Sequence, residues 1–152
     1  MDLATFHALL DRKKPLGRGH PLNDKQRRAV NHAEGPLWLL AGPGSGKTEV
    51  LVTRVLRLLC VGRVPPRSVL MTTFTEKAAK NMEDRLAEYL AILQQADPSL
   101  KDVDLSEVRI GTLHSLCNDI LQEYRYPAYQ NVRLLDEVEQ HLFAAHNDSH
   151  PK

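Results

Sequence analysis

Residues 41–48 read Ala41-Gly42-Pro43-Gly44-Ser45-Gly46-Lys47-Thr48, and no other stretch constrains the fold as tightly. Before it stands a short apolar run, Leu37-Trp38-Leu39-Leu40, of the kind a buried parallel strand shows. After it, Val52, Val55, Leu56 and Leu59 recur at helical spacing, which predicts a helix over 47–60. A glycine-rich turn between a strand and a helix, closed by Lys-Thr, is the sequence form of a phosphate-binding loop. Small residues let successive backbone N–H groups curl around an anion, and the helix amino terminus adds unpaired donors and a positive dipole. On this reading residues Ala41 to Thr48 and the adjoining Glu49 form a nucleotide site. Lys47 reaches the β- and γ-phosphates of ATP, and the Thr48 hydroxyl ligates Mg²⁺. The strict pattern begins with Gly where this chain has Ala41, a methyl the loop tolerates if that residue closes the strand at negative φ.

Strand–helix alternation continues downstream. Val69-Leu70-Met71-Thr72-Thr73-Phe74 predicts a second strand, and residues 76–95 a helix with Met82, Leu86, Leu90 and Leu93 on one face. Residues 108–112 form a weaker third strand. Leu113, Leu116, Cys117, Ile120, Leu121 and Tyr124 then make a helical stripe. The segment 96–107, with four Asp/Glu and Pro98, connects helix to strand. Alternation at this spacing predicts an α/β fold, a parallel sheet flanked by helices. Upstream, Asn23 and Gln26 have the spacing of a capping box at a helix start. Residues 11–21, rich in Arg, Lys, Gly and Pro, read as the basic part of a flexible lead-in covering 1–21.

Residues 1–80 carry 14 Lys+Arg against 6 Asp+Glu, whereas residues 81–152 carry 6 against 13. A basic front half suits a polyanionic partner or, equally, a solvated face. No apolar run approaches the roughly 20 residues that span a bilayer. Met1-Asp2-Leu3 lacks the basic start of a signal peptide. Two cysteines make no disulfide framework, and Cys60 and Cys117 both read as buried thiols. A cytoplasmic protein is expected.

Three further segments resemble the UvrD/Rep family of superfamily 1 DNA helicases. Leu22-Asn23-Asp24-Lys25-Gln26-Arg27-Arg28-Ala29-Val30 resembles the family's Q motif. Thr72-Thr73-Phe74-Thr75-Glu76-Lys77-Ala78-Ala79 resembles motif Ia, and Gly111-Thr112-Leu113-His114-Ser115-Leu116-Cys117 resembles motif Ib. With the phosphate loop they follow the family's order and spacing over about residues 22–121. The resemblance implies an incomplete RecA-like motor lobe over 22–125, the start of an inserted helical subdomain over 126–152, and 3′→5′ polarity. It also implies adenine recognition by Gln26 and single-stranded DNA contacts by Thr73, Phe74, Thr75, Thr112 and His114. Each assignment has a structural rival. Gln26 offers adenine a donor and an acceptor, but the capping box would claim the same amide. Phe74 can stack on a base or fill the core, and the threonines and Ser115 can cap helices instead. Lys77 and Arg85 read as solvated helix charges. Leu113 stands where motif Ib usually has Phe, and Glu76 where motif Ia usually has Asn.

Hydrolysis would need an acidic pair at another strand end. Val132-Arg133-Leu134-Leu135-Asp136-Glu137 is a poor candidate, because Arg133 would sit inside a buried strand and Asp136 with Glu139 fits a helix cap. The expected function is therefore ATP binding by part of a helicase motor, with the remainder of the helicase as a partner and little turnover alone. A sheet lacking several strands would expose an association-prone edge. The alternatives are a small P-loop kinase, or a nucleotide- or DNA-binding remnant acting by occupancy.

Overall fold

The computed structural model describes residues 1–13, 21–124, 135 and 137–147. They divide into two compact units, Met1–Leu116 and Cys117–Lys152. The first contains helices α1 (Leu3–Lys13), α2 (Asp24–Asn31), α3 (Lys47–Cys60) and α4 (Glu76–Ala96), and strands β1 (Leu70–Thr73) and β2 (Arg109–Thr112). Helix α5 (Leu113–Tyr124) begins there and runs past the division, and the second unit also holds α6 (Glu137–Asn147).

Helix α3 spans the residues its periodicity predicts. Val52, Val55, Leu56, Leu59 and Cys60 enter the main core, where they meet Met82, Leu86, Tyr89, Leu90 and Leu93 of α4 and Met71 of β1. Burial of Cys60 pushes its thiol up to about 11. Helix α4 starts at Thr75, whose side-chain oxygen accepts from the Ala78 amide. A smaller cluster of Leu22, Ala29, Val30 and Val50 joins α2 to α3. The Arg54 Nη1 donates to the Ala29 carbonyl at 2.7 Å across the same contact.

β1 and β2 pair in parallel, with Leu70 opposite Arg109 and Thr73 opposite Thr112. Among the described residues these two strands are the whole sheet. The expected first strand at 37–41 is corrected, because that segment has no ladder pairing. Trp38 and Leu40 are each 88% exposed. A continuous apolar run becomes a strand only where neighbours take up its N–H and C=O groups.

The flexible lead-in is also corrected over its first part, since residues 3–13 form α1. Asp2 caps it, accepting from the Thr5 amide at 2.9 Å and the Thr5 hydroxyl at 2.7 Å. These bonds hold the Asp2 carboxyl below its usual range. Phe6 and Leu10 enter the main core, His7 Nε2 lies 2.8 Å from Asn31 Oδ1, and Arg27 pairs with Asp11. Residues 14–20 of the lead-in lie outside the described residues.

Two expectations about α5 also change. Cys117 is exposed rather than buried. Of the expected stripe Leu116 is buried, while Leu113, Ile120, Leu121 and Tyr124 are exposed. In α6, Gln140 donates to the Leu135 carbonyl at 2.9 Å. Glu137 of the rejected acidic segment opens this helix, and Val132, Arg133, Leu134 and Asp136 lie outside the described residues. No described helix is long and apolar enough to cross a membrane.

Leu56 is fully buried between α3 and α4. Leu56→Ala should lower the unfolding free energy by about 2–5 kcal/mol in a urea titration. A loss below about 1 kcal/mol would show that this face of α3 does not hold the core together.

Candidate nucleotide site

The phosphate loop is built by two left-handed glycines, Gly44 at φ 72° and Gly46 at φ 80°. Side-chain-bearing residues rarely adopt these angles. At Gly46 the backbone has a second constraint, since a Cβ there would come within 2.9 Å of Gln26 Nε2. The Gly42 carbonyl organises the turn by accepting from the Ser45 hydroxyl at 2.7 Å and from the Ser45 amide at 3.4 Å. The loop opens directly into α3 with Gly46 at the N-cap, and no side-chain hydrogen bond caps the turn. The amides of Lys47, Thr48 and Glu49 precede the first backbone bond of the helix, Val50 N–H to Gly46 O at 3.0 Å. Such amides, together with the helix dipole, suit an anion.

Lys47 folds back over the start of the loop. Its ammonium donates to the carbonyls of Ala41 and Gly42 at 3.0 and 2.7 Å, which leaves one of its three N–H groups for a ligand. Pro43 is exposed in the same turn, and Thr48 is half-buried in the first turn of α3.

Gln26 fills the capping role and also touches the loop. Its Oε1 accepts from the Asn23 amide and the Asn23 side chain accepts from the Gln26 amide, both at 2.9 Å, so the capping box is complete. Its Nε2 also donates to the Ser45 carbonyl at 3.0 Å, bracing the loop from α2. Each end of a primary amide can make a second hydrogen bond, so capping does not exhaust Gln26.

Glu49, Arg85 and Tyr89 form a cluster that no local sequence pattern announces. Glu49 is 9% exposed, and the Tyr89 hydroxyl lies 3.2 and 3.1 Å from its two carboxylate oxygens. Burial first, and then the neighbouring carboxylate, push the Tyr89 phenol up to about 12. Arg85 Nη1 stands 3.5 Å from Glu49 Oε2. Arg85 is therefore half-buried beside the loop, not a solvated helix charge, whereas Lys77 is exposed. A cavity of about 290 Å³ lies among Gly44–Glu49 and Arg85. Arg85 and Tyr89 share a face of α4 by their four-residue spacing, but nothing local links them to Glu49, 36 and 40 positions earlier.

The residues suggested for DNA lie at the carboxyl ends of the paired strands. Thr73 is half-buried, and Phe74 is 95% exposed, which removes it from the core. His114 is exposed at the start of α5. Thr75 is committed through its oxygen to the α4 cap. Thr112 is buried, and its hydroxyl oxygen accepts from the Ser115 amide at 3.1 Å, so it shapes the turn into α5 rather than facing outward. Gly111 permits that turn, since a Cβ there would meet Ser115 Oγ at 2.8 Å.

Comparison with known proteins accords with this arrangement. Residues 22–149 match the UvrD/REP helicase N-terminal domain family. The chain is 40% identical over 122 residues to ATP-dependent DNA helicase SRS2 of Saccharomyces cerevisiae, covering 78% of this chain and 10% of that protein. It is 38% identical over 121 residues to ATP-dependent DNA helicase PcrA of Bacillus subtilis, covering 78% of this chain and 15% of that one. DNA helicase II of Escherichia coli is 36% identical over 121 residues, with the same two coverages. The chain thus spans about a tenth to a seventh of the length of these relatives. Its phosphate loop, its capped α2 and the paired strands β1 and β2 all fall inside the matched region, and the chain belongs to the UvrD/REP helicase family through that family's N-terminal domain.

Proposed function

We propose that this chain binds ATP with Mg²⁺ at the phosphate loop and forms the nucleotide-binding part of an ATP-driven DNA helicase. The observation that carries this reading is the loop itself. Gly44 and Gly46 curve an uncapped backbone into the amino terminus of α3 with Lys47 folded across it. That cradle fits a polyphosphate, because its donors are backbone amides and an ammonium and no side chain caps the first turn of α3. Residues 42–48 would hold the phosphates, with the Thr48 hydroxyl toward the metal and Gln26 toward adenine. Bound Mg²⁺ would neutralise phosphate charge. Glu49, held by Tyr89 and Arg85, would line the same site.

The relatives' names support helicase use of the site. On this reading residues 22–125 belong to a RecA-like motor lobe, and residues 126–152 begin an inserted helical subdomain. Single-stranded DNA would run past Thr73, Phe74 and His114 with 3′→5′ polarity, and Phe74 would supply a stacking surface worth about 1–3 kcal/mol per base. A reducing cytoplasmic setting suits the free thiols Cys60 and Cys117.

Three measurements test the proposal. Lys47→Ala should weaken ATP binding at least about tenfold by calorimetry, equivalent to ~1.4 kcal/mol. Parental affinity in that variant would refute the phosphate assignment.

Gln26→Ala should narrow the gap between ATP and GTP affinity. An unchanged ratio would leave Gln26 only its capping and bracing bonds.

Hydrolysis should be near background for the 152-residue chain, with or without single-stranded DNA. Among the described residues no acidic pair ends a strand beside the loop. A transition-state arginine is worth about 10³–10⁵ in rate to P-loop enzymes. DNA-stimulated phosphate release that disappears in Asp136→Asn would reinstate the rejected acidic segment.

A further inference from the structure

Among the described residues Arg85 is the one guanidinium that lines the cavity of the phosphate loop, and its setting is unusual for a helix arginine. Its side chain is 27% exposed, and its Nη1 makes a long contact of 3.5 Å with Glu49 Oε2. Its Nε is buried with no hydrogen-bond partner. A guanidinium offers five N–H donors in a fixed plane, so one long bond leaves most of them unused. Glu49 cannot swing away easily, because its carboxylate is buried beneath the Tyr89 hydroxyl. The acid therefore fixes where the guanidinium stands. The same cavity is lined by Gly44, Ser45, Gly46, Lys47 and Thr48, whose amides suit an anion. A phosphate there would satisfy donors that Glu49 leaves open, and planar Arg groups bind phosphate oxygens well.

Resting on the nucleotide reading above, we propose that Arg85 is a second phosphate-binding cation of this site, supplied by α4 and positioned by the Glu49 carboxylate that Tyr89 holds. Lys47 then grips the phosphates from within the loop while Arg85 closes the cavity from the side. The arrangement also offsets a liability, since an uncompensated Glu49 would repel any polyanion entering the cavity.

The test is calorimetric titration of the 152-residue chain with Mg-ATP and, separately, with pyrophosphate, which has no base or ribose. Arg85→Gln should weaken both ligands about five- to tenfold while far-ultraviolet circular dichroism stays at the parental value. Arg85→Lys should recover part of the loss. The decisive comparison is a cycle with Glu49→Gln. If Arg85 contacts phosphate, Arg85→Gln still weakens binding when Glu49 is already neutral. A loss that vanishes in the Glu49→Gln background would make Arg85 a mere counter-ion and overturn the proposal, as would parental affinity in Arg85→Gln. Should Arg85→Gln unfold the chain, phenylglyoxal labelling of the parent protein decides. Saturating pyrophosphate should slow modification of Arg85 severalfold by peptide mass mapping, and unchanged labelling would overturn the assignment. Parental affinity in Lys47→Ala would instead count against the phosphate site itself, so the two failures are distinguishable.

Discussion

The burial of one face of α3 is the constraint on which the rest depends. Val52, Leu56, Leu59 and Cys60 are almost wholly removed from water against α4 and β1, and each buried aliphatic side chain contributes about 1.5–3 kcal/mol. That packing fixes the helix axis and hence the direction of its first-turn amides. The loop preceding it has little stabilisation of its own, since Gly42, Gly44 and Ser45 are exposed and turn on a few carbonyl bonds. An anion site made of backbone must borrow rigidity from its neighbours, and here α3 and the Gln26 brace supply it. Preorganised donors bind charge without having to be ordered at the moment of binding.

Electrostatics at the same end of α3 involves a compromise. A carboxylate in a first helical turn is favoured by the dipole, yet Glu49 adds negative charge to a cavity suited to phosphate. Burying it would cost several kcal/mol if it were left unpaired. Tyr89 and Arg85 both satisfy it, from consecutive turns of α4. The phosphate loop and α4 are thereby coupled through a polar contact within an apolar interface. The segment resembling motif Ia runs into the start of that helix, so the segment suggested for DNA and the cavity suggested for nucleotide share one helix. Coupling between two ligands needs such an element with a differential response to each.

What could be read from the sequence was local. Helix α3 could be read because its apolar period, its glycine loop and its Lys-Thr pair agree. The capping box at Asn23 could be read because it rests on two side chains three residues apart. Helix α1 was missed although its signals are present: Asp2 caps it, and Leu3, Phe6 and Leu10 lie at helical spacing. The basic, Gly- and Pro-containing run that follows has the composition of a flexible segment and masks those signals. The Glu49–Arg85–Tyr89 cluster was out of reach for a different reason, because its members are joined only by tertiary packing. Thr112 is the converse case, since its hydroxyl oxygen accepts from the Ser115 amide and so takes the capping alternative that its position left open. Local chemistry predicts caps and faces, whereas partners across the core emerge only with the fold.

The segment 37–40 follows from the same distinction. Its composition is that of an interior parallel strand, yet Leu37 and Leu39 are each 42% exposed and Trp38 and Leu40 twice that. Leu51 of α3 and Leu70 of β1 are also open, and they border a groove of about 480 Å³ that includes Val55, Met71 and Met82. Parallel sheets are stable with both faces covered and their strands paired on both sides. Among the described residues a two-stranded sheet meets neither condition. The apolar run therefore has the composition of a buried strand but neither its burial nor its pairing. A strand is a relation between segments, and residues 37–40 carry one side of it. Exposed runs of this kind favour association with other strands, so solubility should be more sensitive to this face than to the well-packed core around α3.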